Sequence, residues 1–263
     1  MPPNSARPPA TLPVAVREYK RPDLTGCTLV VSVPHVGMGN SVVTDFLLDS
    51  LRMDQIAVVD SEGFPPVALV HDGRPRFPLR IHASVDDRVA VARSEIPLPA
   101  AVCRAVAHAL LDWSVDRRMR AIVAIDALAG HADPSADGGP PPLWFAARGS
   151  EARERAMSAG LQEVREGLLS GIPAVLLTES RFAGAEVVGL FAELREPLDD
   201  ARSVPALTQA VSEILGGLPL DFARLEREVA DVESRVRSLQ ESAQRELERL
   251  SAPALRDAMP MYG

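Results

Sequence analysis

The chain has 263 residues, with 28 basic side chains against 36 acidic ones and a formal net charge of −8. That length suits one large or two small domains with a sizeable core, and 46% hydrophobic with 24% charged residues is a globular mix, not a disordered or fibrous one. The acidic balance argues against nucleic acid and anionic membranes as partners, and the presence of a single lysine, Lys20, nearly excludes a phosphate-binding P-loop or a Schiff-base enzyme.

In chain order, residues 1–20 read as a flexible, Pro-rich tail without the apolar run of a signal peptide. Residues 28–33 (TLVVSV) form a β-branched apolar run. A loop holding Gly37 and Gly39 then leads into an amphipathic helix with Val42, Val43, Phe46, Leu47 and Leu51 on one face. A second strand, 56–59, ends at Asp60; strand, loop, helix, strand predicts a βαβ unit and a parallel pair. Residues 67–70 and 79–81 read as two strands around the turn 71–75, followed by a strand at 88–93, a helix at 99–117 and an apolar strand at 121–125.

Residues 130–142 (GHADPSADGGPPP) can hold neither helix nor ladder and read as a loop or lid. A polar helix over 151–167 follows, then a buried strand at 174–177 (AVLL) and helices at 184–196 and 205–215. Residues 21–219 thus form an α/β domain, a three-layer α/β/α arrangement with a mainly parallel sheet. From residue 220 the pattern changes. Phe222, Val229 and Val236 recur every seven residues with Leu225, Val232 and Leu239 between them, the a and d positions of a heptad. This predicts a long helix over 220–252, serving either as an oligomer seam or arm or as a helix packed on its own domain. Pro253 and Pro260 then leave 253–263 as a flexible tail.

Cys27 and Cys103 lie outside any C-x-x-C or zinc spacing and fit a reducing cytoplasm. No cofactor or metal is expected, and no stretch is long and apolar enough to span a bilayer. Gly37, Gly39 and Asp60 nearly match a dinucleotide fingerprint, but Val42 stands at its third glycine position. His35, Glu62, Glu95, Asp126 and His131 fall at strand ends, where α/β proteins bind ligands, and paired carboxylates with a histidine could support acid-base hydrolysis. Polar residues gather at such ends in any α/β fold, and no G-x-S-x-G elbow or metal-binding histidine pair reinforces that reading. The last three residues, Met261, Tyr262 and Gly263, are a hydrophobic residue, a tyrosine and a carboxy-terminal residue, a pattern suited to capture in a groove.

Several segments resemble the second type of proteasome assembly chaperone in its archaeal form. Residues 60–66 (DSEGFPP) are similar to its D-S-E-x-F-P-P segment, and 73–83 to its G-x-P and P-[VL]-R-I-[YH]-A segments. Residues 94–99 (SEIPLP) are similar to S-E-[FI]-P-L-P, and 37–41 to its G-x-G-x-[VS] loop. Residues 163–169 keep little of the family's G-x-x-G-x-x-G turn. The resemblance implies a nucleoside-phosphorylase-like fold without catalysis. It implies α-subunits of the proteasome ring as partners, with Met261, Tyr262 and Gly263 docking in pockets between them; a homo-oligomer formed through the heptad helix or the α/β domain would present several tails to one ring. The alternative is a nucleoside-phosphorylase-like hydrolase or small-ligand-binding protein using the strand-end residues.

Overall fold

A computed structural model describes residues 12–34, 39–129, 141–194, 199–230 and 234. Its elements run β1 (Val14–Glu18), β2 (Thr28–Ser32), α1 (Gly39–Ser50), β3 (Asp54–Ser61), β4 (Leu69–His71), β5 (Arg74–Arg76), β6 (Leu79–Ser84) and β7 (Val89–Ser94). They continue α2 (Ala100–Asp116), β8 (Ala121–Ala129), β9 (Leu143–Arg148), α3 (Ser150–Ser158), β10 (Gln162–Glu163), α4 (Gly171–Ala183), β11 (Glu186–Leu194) and α5 (Asp199–Ile214). Residues 222–230 form a further helix, α6. The loop at 130–140, most of the heptad stretch and the carboxy-terminal tail lie outside the described residues.

Nine strands form one mixed sheet in the order β1-β3-β6-β7-β2-β8-β11-β9-β10, with β4 and β5 as a separate hairpin. Its centre, β7-β2-β8-β11, is parallel. The flanking pairs β1-β3, β3-β6, β6-β7 and β9-β11 are antiparallel. The first βαβ expectation therefore needs correction. β2 and β3 run the same way but are not neighbours, because β6 and β7 enter between them.

Alternate residues divide between two cores, as strand pleating requires. On one side Leu29, Val31, Leu79, Ile81, Ala90, Ala92, Ile122 and Ala124 pack under α2 and α4, with Leu110 and Leu176 fully buried. On the other, Val30, Val89, Val91, Val123, Ile125 and Leu190 pack under α1, α3 and α5. Two helical layers enclose one sheet, so the α/β/α expectation holds at this level.

Three local expectations change. Residues 174–177 lie inside α4, not in a strand: Pro173 sits in the helix's first turn, where its missing N–H costs nothing, and the left-handed Gly184 (φ +68) closes the other end. Residues 184–196 hold strand β11, not a helix, because a strand buried on both faces has no period to show. Gly189 matters here, since a Cβ there would lie 2.9 Å from the Phe191 ring and 3.0 Å from Leu177 of α4. The polar helix read over 151–167 stops at Ser158, and β10 follows.

The supposed amino-terminal tail also contributes structure. β1 pairs with β3, and Glu18 at its end accepts hydrogen bonds from Trp113 Nε1 (2.9 Å) and Arg117. Burial works against the Glu18 carboxylate, but the Arg117 and Trp113 hydrogen bonds outweigh it and lower its pKa.

Candidate functional site

The cluster with the most unusual chemistry lies on the α1 side of the sheet, at its parallel-to-antiparallel junction. Leu79, Ile81 and Ala83 of β6 face the α2 core, so Arg80 and His82 must face the other way. On β7, Val89 and Val91 belong to the α1 core and Arg93 continues their row. Arg80 and Arg93 are register partners, and Ser32 of β2 is Arg93's partner on its other side. Two arginines, 3% and 6% exposed, thus stand directly opposite one another in an antiparallel ladder. Like charges so placed destabilise a sheet.

Carboxylates offset that repulsion. Glu95 Oε1 accepts from Arg80 and lies 3.4 Å from Arg93 Nη2, while Asp45 of α1 accepts from Arg93 Nη1. Neither arginine is fully used: the Nε of each, together with His82 Nδ1 and Ser41 Oγ, is buried without a hydrogen-bond partner among the described residues. Burial, then the charges of Arg80 and Arg76, push the His82 pKa down to about 4, against an opposing pull from Glu95, so the imidazole is neutral near pH 7. An open pocket of about 700 Å³ borders these residues, roofed by Ser41, Asp45, Leu48 and Asp49 of α1 and flanked by His71 and Arg76.

Three of the strand-end residues nominated from sequence, Glu62, Glu95 and Asp126, are among the described residues. Glu95 belongs to this cluster. Asp126 is buried on the opposite face, where its charge acts with burial to raise the Cys103 pKa on α2. Glu62 is exposed beyond β3, beside Gly63, which lies against Val102 of α2. His35 and His131 lie outside the described residues. Asp60 pairs with Arg17 across the β1-β3 edge at 3.0 Å, an ordinary surface ion pair.

Sequence reading missed Arg80, His82, Arg93, Ser41 and Asp45. The available signal was two polar positions in apolar strands, LRIHAS and VAVARS, whose register could not be known before β6 was paired with β7. Residues from three of the chaperone-like segments, Ser41, Arg80 with His82, and Glu95, converge at this pocket. A second open space of about 660 Å³ lies at the ends of β8 and β11, bordered by Trp144, Glu193 and residues 162–166; Trp144 Nε1 donates to Glu193 at 2.9 Å. The departed glycine turn borders that space.

The heptad positions divide in a similar way. Leu225 is 0% and Val229 6% exposed, both in the core under α1 and α5, and Phe222 packs beside them. Arg224 anchors this start of the helix, reaching Asp49 of α1, lying 5.5 Å from the Phe46 ring centroid and meeting Glu228 at 2.7 Å. These turns pack on their own domain. Val232, Val236, Leu239, Met261, Tyr262 and Gly263 lie outside the described residues.

Among the described residues no helix is long and apolar enough to cross a membrane, and no group of three or more His, Cys, Asp or Glu is placed to hold a metal. No curated protein sequence matches the chain. Among solved structures it is similar to Pyrococcus furiosus PbaA, an archaeal homolog of proteasome-assembly chaperone (23% identity, TM-score 0.74, covering 90% of this chain and 97% of that one). It is also similar to PbaB from the same organism, an archaeal proteasome activator (20% identity, TM-score 0.71, covering 86% and 98%). A third is a Mycobacterium tuberculosis proteasome-assembly chaperone homologue (21% identity, TM-score 0.61, covering 80% and 94%). At these identities the likeness is one of fold, shared across archaeal and bacterial proteins, and none of the three is named as an enzyme. The PAC2 family model matches residues 29–240, most of the α/β body and part of the heptad stretch, and the chain therefore belongs to the PAC2 family.

Proposed function

We propose that the protein is a non-catalytic proteasome assembly chaperone or core-particle-binding factor, docking Met261, Tyr262 and Gly263 between α-subunits of the proteasome ring. The observation that carries this reading is family membership over residues 29–240, together with solved relatives named as a chaperone homologue and a proteasome activator. In this reading the α/β body is a platform. Leu225, Val229 and Arg224 root the helix, while Val232, Val236 and Leu239 extend it or pair it with a second copy. A three-residue tail buries little surface and must be ordered on binding, so its own affinity is low. An oligomer presenting several tails to one ring gains through effective concentration. For the hydrolase alternative, Glu95 is engaged by Arg80 and Arg93 and lies on the opposite sheet face from Asp126.

The test is a pull-down of proteasome α-subunits from lysate of the source organism, with the full chain and with residues 261–263 removed. Truncation should abolish capture while circular dichroism stays unchanged. Undiminished capture by the truncated chain would refute tail docking.

A further inference from the structure

We infer that the pocket between α1, β6 and β7 is a binding site for the phosphate group of a small molecule, held by Arg80 and Arg93. Stability does not explain the arrangement. Buried ionic groups are commonly replaced by packed apolar side chains with no loss of stability, and here two cations face each other in the ladder. Their partners are incomplete. Glu95 is shared between both guanidiniums, and Asp45, on the solvent side, meets one Nη of Arg93. The two Nε–H donors and Ser41 Oγ have no acceptor among the described residues, and His82 Nδ1 is likewise unpartnered.

Glu95 and Asp45 occupy the guanidinium faces that an oxyanion would take, so they act as the chain's own stand-ins for it. Both are partly exposed and can swing into water when displaced. A neutral His82 beside the arginines adds no competing charge, and around the pocket Arg76, Arg80 and Arg93 stand against Asp45, Asp49 and Glu95. Phosphate fits better than carboxylate. The lining side chains Arg80, Arg93 and Ser41 come from two strands and a helix and could meet several tetrahedral oxygens, whereas a carboxylate offers two in one plane. A volume of about 700 Å³ leaves room for an organic portion beyond the phosphate.

The experiment is isothermal titration of the full chain with inorganic phosphate, glycerol 3-phosphate and acetate, at ionic strength held constant with chloride. Saturable binding of both phosphates is expected, with acetate much weaker. Arg80→Met and Arg93→Met should each weaken phosphate binding roughly tenfold or more. Ser41→Ala should weaken it less. Should a methionine variant not fold, Arg93→Lys serves instead: it keeps the charge but loses the fork, and weakened binding supports the site. Absence of saturable phosphate binding, acetate binding as tight as phosphate, or undiminished binding in folded arginine variants would overturn it.

Discussion

The two faces of the sheet are written by alternate letters of the same strands but are closed in different ways. Under α2 and α4 the rows from β6 and β7 are Leu79, Ile81, Ala83, Ala90 and Ala92, all at most 6% exposed, and no charged residue interrupts them; Ser94, opposite Leu79, is their one polar member. Under α1 the matching rows carry Arg80, His82 and Arg93, and the layer opens into a pocket instead of sealing. One face therefore acts as a foundation, the other as a surface able to bind. Substitutions of similar size on the two faces should separate these roles.

The largest expected effect is on the sealed face. Leu110→Ala, at a position 0% exposed, should cost about 4 kcal/mol in urea unfolding through lost transfer energy and the cavity left behind. A loss below about 1 kcal/mol would mean that α2 does not seal this core.

Acid should act through the open face. The pKa of His82 is about 4 in the folded chain against 6.5 as its ordinary value, so the native state binds fewer protons than the unfolded state between them. Its contribution is complete above pH 6.5 and is lost as pH falls through 4, about 3 kcal/mol in all. Unfolding followed from pH 7 to 4 in phosphate-free buffer should show this slope, and His82→Gln should flatten it. An unchanged slope in the variant would place the acid sensitivity elsewhere.

Charge removal gives the next contrast. Glu95→Ala leaves two buried guanidiniums facing each other and should cost about 2 kcal/mol. Arg93→Met removes one of the opposed cations and leaves Glu95 with Arg80, so it should stay within about 1 kcal/mol of the parent. The reverse ranking would contradict an ion cluster retained for binding. The smallest effect should come from Arg224→Ala, whose contacts with Asp49, Glu228 and Phe46 lie at the surface. Leu225→Ala, one position on, should loosen the helix root far more.

How much of this was legible varied with burial. Residues 28–33 and 121–125 are short apolar runs rich in β-branched residues and read as interior strands, 88–93 reads as one from Val89 and Val91, and α2 carries a clear helical stripe. Residues 174–177 and 187–194 are equally apolar, and without a visible period helix and strand were exchanged. β9 and β10 carry little apolar alternation and passed unread. β1 was hidden in a Pro-rich stretch because an edge strand needs only one partner. The family was legible from segments 60–66, 73–83 and 94–99, whereas the arginine pair depended on the β6-β7 register, a long-range fact that no local window contains.

The central claim rests on three residues at the carboxyl end. Its most direct test is the equilibrium affinity of the full chain for purified proteasome α-rings, measured beside Tyr262→Ala. The account predicts that this substitution reduces binding to background while the thermal unfolding midpoint is unchanged. Equal affinities for the two proteins would contradict it.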